Sequence, residues 1–144
     1  MSDGKANRLD EIIASHARRE GPLLPILHDV QAEFGHVSEE ARRHIAKALN
    51  LSRADVQGVV SFYHDFKAEP AHKPVLKLCR AEACKARGVE ALVVDATRAA
   101  GDRVEIETIY CLGLCSVGPN AMIDQKVYAR LNSPKLNALI EELA

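Results

Sequence analysis

Tryptophan is absent from the 144 residues, and aromatic residues make up only 4% of them. So few rings argue against a base-stacking platform for single-stranded nucleic acid. No charge of one sign dominates either: 19 basic residues face 20 acidic ones, for a net charge of −1. A nucleic-acid binder shows a basic excess or stripe, and ARRH at 41–44 reads instead as one solvated helix face. Apolar runs stay far short of the roughly 20 residues that span a bilayer. The opening stretch, MSDGKANRLDEIIASHARREG, is charged and lacks the apolar h-region of a secretory signal. These absences predict a soluble, cytoplasmic chain with no membrane insertion and no nucleic-acid partner. Glycines at 4, 21, 35, 58, 88, 101, 113 and 118 form no G-x-G, so the dinucleotide fingerprint is missing, as is a P-loop.

What is present begins with 47% hydrophobic residues, enough for one ordinary domain or two small ones. A chain of this length buries roughly 70% of its unfolded surface, so disulfides are not needed as staples. Helical periodicity runs through NRLDEIIASHARR, where Leu9, Ile12 and Ile13 recur before Gly21-Pro22 ends the segment. LLPILHDVQAEFG places Leu24, Leu27, Val30 and Phe34 on one stripe and closes on Gly35. Ser38 caps EEARRHIAKALN, with Glu39 and Glu40 set against the positive end of the helix dipole. Ser52 and Asp55 form a capping-box start for RADVQGVVSFY.

At 67–74 the texture changes to KAEPAHKP, a linker with two prolines and no apolar periodicity. VLKLC (75–79) then reads as a strand, VEALVVDATRAAG as a helix ending on Gly101, and RVEIETIYC as an alternating strand. AMID and VYARL suggest a hairpin around Gln125 and Lys126; Ser133 and Pro134 suggest the N-cap and N1 of a last helix. The expected fold class is α/β: a helical bundle over residues 1–70, then a thioredoxin-like sandwich over 71–144.

All four cysteines fall in the second part, as C-x4-C (Cys79, Cys84) and C-x3-C (Cys111, Cys115), each pair in a loop after a strand. A thioredoxin-type dithiol wants C-x-x-C at a helix N-terminus, which neither spacing provides. Four thiolates suit tetrahedral zinc. They equally suit a [2Fe–2S] cluster, with each close pair on one iron and the two loops clamping opposite ends. In that second case Gly113 and Gly118 allow positive φ, so that backbone N–H groups approach sulfur. No histidine follows His72, which argues against a mixed histidine–cysteine variant. Arg80, Lys85 and Arg87 flank the first pair, either to offset cluster charge or as solvated loop charges, with Glu82 equally undecided.

CRAEACKARG followed by YCLGLCSVGPNAMID and VYARL resembles the small [2Fe–2S] ferredoxin subunit of NADH dehydrogenases, a subunit type shared by NAD-linked hydrogenases and formate dehydrogenases. GVVSFYHDFKAEP (58–70) looks like the ending of that family's helical domain, so the resemblance covers most of the chain. It implies one [2Fe–2S] cluster held by Cys79, Cys84, Cys111 and Cys115. It also implies a helical domain that docks on a flavoprotein partner bearing FMN and NAD, beside a larger catalytic dehydrogenase subunit. Respiratory members usually carry a threonine- or glycine-rich stretch between the first two cysteines. The RAEA found here, together with the short length, looks more like the gamma subunit of soluble NAD-dependent formate dehydrogenases. The equivalent subunit of an NADH:quinone oxidoreductase or NAD-linked hydrogenase is the alternative, and a zinc-stabilised interaction module is the alternative of another class.

Overall fold

Four helices make up the first half of the computed structural model, which describes residues 3–144: α1 (Asp3–His16), α2 (Leu23–Phe34), α3 (Glu39–Ala48) and α4 (Arg53–Phe62). The helix ends follow local chemistry. Ser38 Oγ accepts the Ala41 N–H at 3.1 Å. Ser52 and Asp55 close a reciprocal box, with Asp55 N–H donating to Ser52 Oγ at 3.0 Å and Ser52 N–H to Asp55 Oδ2 at 3.1 Å. Such a cap stabilises a helix by about 1 kcal/mol. Gly35 ends α2 at φ 76°, a left-handed conformation that a side chain would strain, and its N–H returns to the Gln31 carbonyl.

Leu9, Ile26, Leu27, Val30, Ile45 and Val60 form the apolar centre of this half. Two histidines pin α1 to its neighbours: His16 Nε2 meets Asp29 Oδ2 on α2, and His44 Nε2 on α3 meets Asp10 Oδ1, both at 2.6 Å. α1 begins at Asp3, ahead of the stretch where the periodicity signalled it. The expected linker also starts late. Lys67 N–H donates to Gln31 Oε1 at 2.6 Å, and Lys67 O accepts the Val37 N–H at 2.7 Å, so Lys67 still belongs to the helical half.

Contacts divide the chain into two compact units, one ending at Ala71 and the other spanning His72–Ala144. The second unit runs β1 (Val75–Cys79), α5 (Glu82–Ala86), α6 (Val89–Ala100), β2 (Glu105–Ile109), a 3-10 turn at Cys115–Val117, β3 (Ala121–Ile123), β4 (Lys126–Tyr128) and α7 (Ser133–Leu143). The sheet order is β2-β1-β3-β4. β1 and β2 are parallel, while β3 is antiparallel to both β1 and β4. This is the mixed α/β, thioredoxin-like architecture that the sequence pattern suggests.

Leu76 and Leu78 alternate toward one face of β1, where they join Val89, Ala96, Leu136 and Ile140 from α6 and α7 in the core. Burying each leucine contributes about 2 kcal/mol. Period-2 alternation thus decides which residues of β1 face the helices, and it leaves the strand to end on Cys79.

Three expectations need correction. Asn132, not Ser133, caps α7: its Oδ1 accepts the Lys135 N–H at 3.0 Å, whereas Ser133 is the first helical residue and donates from Oγ to Asp95 at 2.9 Å. The strand read as 103–111 is confined to Glu105–Ile109. Gly118 sits at φ −68°, outside the left-handed region. Its lack of a side chain serves close approach instead, since a Cβ there would lie 3.1 Å from Cys84 Sγ.

Candidate metal centre

Cys79 is the last residue of β1, and its N–H donates to the Asn120 carbonyl at 3.0 Å, which carries the sheet register up to the thiol. Cys84 lies in the five-residue α5, which begins after Ala81 and packs near α6 and the turn at Cys115–Val117. Both thiols are buried. Cys111 follows β2 at φ 66°, and Cys115 opens the 3-10 turn; both are exposed. A non-glycine residue at positive φ is uncommon. Here it aims the Cys111 N–H at Cys79 Sγ, 3.3 Å away, and joins the two loops.

The two loops therefore touch, as the placement of each pair after a strand suggested. Cys111 Sγ and Cys115 Sγ are 3.7 Å apart, too far for a disulfide bond of about 2.05 Å. Two thiolates on one tetrahedral ion at about 2.3 Å each would stand ~3.8 Å apart, so this pair is spaced to chelate a single metal. Among the described residues, no three His, Cys, Asp or Glu side chains gather as a site for one ion.

Electrostatics separate the sulfurs. Burial alone would push the Cys79 thiol up, but N–H groups of Ala81, Cys111 and Leu112, with Cys84, outweigh it and bring its pKa below the ordinary value. Cys84 moves the other way, through burial first and then its neighbour Cys79. Cys115 is raised chiefly by its hydrogen bond with Cys111. Thiols that perturb one another across two loops share a small volume, and a cation there would favour the thiolate forms together.

The flanking charges resolve. Arg80 is held by Glu90 on α6, Nε to Oε1 at 3.0 Å and Nη2 to Oε2 at 2.6 Å, a bidentate pair that keeps it protonated and lowers Glu90. Lys85 lies 3.8 Å from Glu82 one helical turn away. Arg87 packs its stem near Gly118. Two residues escaped the sequence reading. Asn120, buried, reaches both cysteine loops, and Tyr110, 71% exposed, stands beside Cys111.

A thioredoxin-like sheet carries two cysteine loops that touch at one end, through the Cys111 N–H and the Cys79 sulfur. The chain belongs to the thioredoxin-like [2Fe–2S] ferredoxin family, which it matches over residues 9–144. It is 30% identical over 141 residues to the NADP-reducing hydrogenase subunit HndA of Solidesulfovibrio fructosivorans, covering 92% of this chain and 82% of that one. Identity to NADH-quinone oxidoreductase subunit 2 of Thermus thermophilus is 28% over 153 residues, covering 98% and 84%. The fold matches a crystal structure of an NAD+-reducing [NiFe]-hydrogenase in the air-oxidized state with TM-score 0.72 at 25% identity, over 84% of this chain but 22% of that one. The cofactor of the family is a [2Fe–2S] cluster. The residues present fit that group: four thiols in two facing pairs, with backbone N–H donors already directed at Cys79. Among the described residues no helix is long and apolar enough to cross a membrane.

Proposed function

We propose that the chain is an electron-transfer subunit whose Cys79, Cys84, Cys111 and Cys115 hold one [2Fe–2S] cluster beside a flavoprotein partner that binds FMN and NAD. The observation that carries this reading is the Cys111 N–H to Cys79 sulfur contact at 3.3 Å, because it brings two separately encoded thiol pairs into one centre. When bound, the cluster supplies one-electron oxidation and reduction. Cys79 and Cys84 give that centre a buried wall, and Ala81, Cys111 and Leu112 supply N–H groups to Cys79. Cys111 and Cys115 give it an exposed rim, the side from which an electron has least protein to cross. Hydride chemistry with a nicotinamide belongs on the partner, since this chain has no dinucleotide fingerprint and flavin converts two electrons to one.

The helical residues 1–70 serve docking in this reading, and Phe62 and Tyr63 at the end of α4, 74% and 43% exposed, support it as apolar contact candidates. The cytoplasmic complex would include a larger catalytic dehydrogenase subunit. The finer assignment, to a soluble NAD-dependent formate dehydrogenase, rests on RAEA between Cys79 and Cys84. The test is metal and sulfide analysis of the purified chain, with its visible and EPR spectra. Two irons and two labile sulfides per chain, reducible by dithionite but not by NADH alone, are expected. One zinc and no iron would overturn the reading, and co-purification with a hydrogenase or quinone-reducing complex would move the finer assignment to the alternative branch.

A further inference from the structure

Asn120 is the one buried asparagine in the second unit, 1% exposed, and its contacts divide between the two cysteine loops. Its carbonyl oxygen accepts the Cys79 N–H at 3.0 Å. Its side-chain Nδ2 donates to the Leu114 carbonyl at 2.8 Å, the residue before Cys115, and lies 3.7 Å from Cys84 Sγ. The orientation of the amide is fixed by chemistry. Leu114 O only accepts, so the atom facing it is nitrogen; reversing the amide would set two acceptors against each other. The same nitrogen has a second hydrogen, and Cys84 sulfur is the acceptor within reach. Asn120 Oδ1 is buried with no protein partner. A buried orphan acceptor is a cost, and its retention calls for a function of the amide's other end. Gly118, two residues earlier, has no side chain where one would approach Cys84 Sγ to 3.1 Å, so the chain keeps the path to this sulfur short.

We propose that Asn120 is a positioning residue for the centre: it locks the Cys115 loop against Cys84 and donates an N–H···S hydrogen bond that makes the bound cluster easier to reduce. This rests on the four-cysteine cluster proposed above. Reduction adds one electron, supplied by dithionite or an electrode in the test, and breaks no bond. The added charge spreads onto the sulfur ligands, so an N–H donor is held more strongly in the reduced state than in the oxidised one, which raises the potential.

The test is a redox titration of the iron-loaded full chain and of Asn120→Leu, a near-isosteric change that keeps volume and removes both donors. With iron and sulfide content equal to native, the variant's reduced-to-oxidised ratio at the native midpoint should fall about tenfold, the worth of one hydrogen bond. For a one-electron couple that is about 59 mV toward more negative potential. A ratio within twofold of native would overturn the proposal. Should Asn120→Leu fail to load iron, the native chain decides. Asparagine labelled with 15N on the side-chain amide should give a nitrogen coupling to the reduced cluster in pulsed EPR, which packing alone would not produce. Absence of that coupling would refute the role. A native chain lacking iron and sulfide would overturn the cluster itself and so be told apart from failure of Asn120 alone.

Discussion

The two cysteine loops are built on opposite plans. Cys79 and Cys84 sit on regular structure, a strand end and a short helix, and are buried in the same core as Leu76, Leu78 and Val89. Cys111 and Cys115 sit on irregular chain in which Cys111 and Gly113 have positive φ, and both cysteines are exposed. The first loop is thus held by the hydrophobic core, and the second by a few hydrogen bonds that cross to the first. Burial on one side and access on the other is what an electron carrier needs, since one wall fixes the ligands and the other meets a partner.

The sharpest way to break this comparison is to replace the thiols singly. Cys79→Ser, Cys84→Ser, Cys111→Ser and Cys115→Ser should each lower bound iron to near zero, because a harder oxygen replaces thiolate. Iron content and the EPR spectrum of the reduced protein decide it. A variant with the native spectrum would remove that cysteine from the ligand set. The two plans should separate in the metal-free chain. Cys111 and Cys115 should alkylate about 100-fold faster than Cys79 and Cys84, as a local opening of roughly 3 kcal/mol implies. Equal rates, read by mass spectrometry, would show that the first loop is not core-held.

Supporting residues should sort in the same way. Leu78→Ala removes a fully buried neighbour of Cys79 and should cost 2–5 kcal/mol in chemical denaturation, about the usual range for a core leucine. Leu112, only partly buried beside Cys111, should cost about 1 kcal/mol or less when truncated. Comparable losses would mean that the second loop is packed, not tethered. Gly118→Ala lies between the loops and should cost about 1 kcal/mol, since its Cβ meets Cys84 Sγ at 3.1 Å and one of the two must shift. Its visible spectrum should change with it, and an unchanged spectrum would place Cys84 away from the metal.

Much of this contrast was legible in the chain. Ser38 and Ser52 announce their helices because capping is local, and alternation in VLKLC fixes which side chains enter the core. The family resemblance rested on cysteine spacing, and the match over 9–144 bears it out at the level of the [2Fe–2S] ferredoxin family. Other features were not local. α5 spans five residues and the turn at Cys115 three, too short for any periodicity to show. Asn120 gives no signal, since its partners lie 6 and 36 residues away and meet it only once the sheet is paired. Gly118 differs from the expectation because a glycine required for close approach and one required for positive φ look the same in sequence. Asn132 and Ser133 are both good caps side by side, and the Asp95 contact on α6 draws Ser133 into the helix.

The smallest expected effect concerns the charge of the first loop. Glu90 neutralises Arg80, the residue next to Cys79. In Glu90→Gln the guanidinium keeps its charge without its counterion, which favours the more negative, reduced state of the centre. The potential should rise slightly, and the rise should shrink with added salt because both groups reach solvent. pH supplies a further check on sign. Arg80 holds the Glu90 carboxyl below its ordinary value, chiefly through their hydrogen bond. The ion pair's contribution is therefore complete above the unfolded carboxylate pKa of about 4.3 and is lost as pH falls through the lower folded value. Native protein and Glu90→Gln should then converge in potential and stability only in acid, and differ by a constant amount from about pH 6 to 8. A difference that grows across that neutral range would assign the effect to another group and leave Arg80 without a part in the charge balance of the first loop.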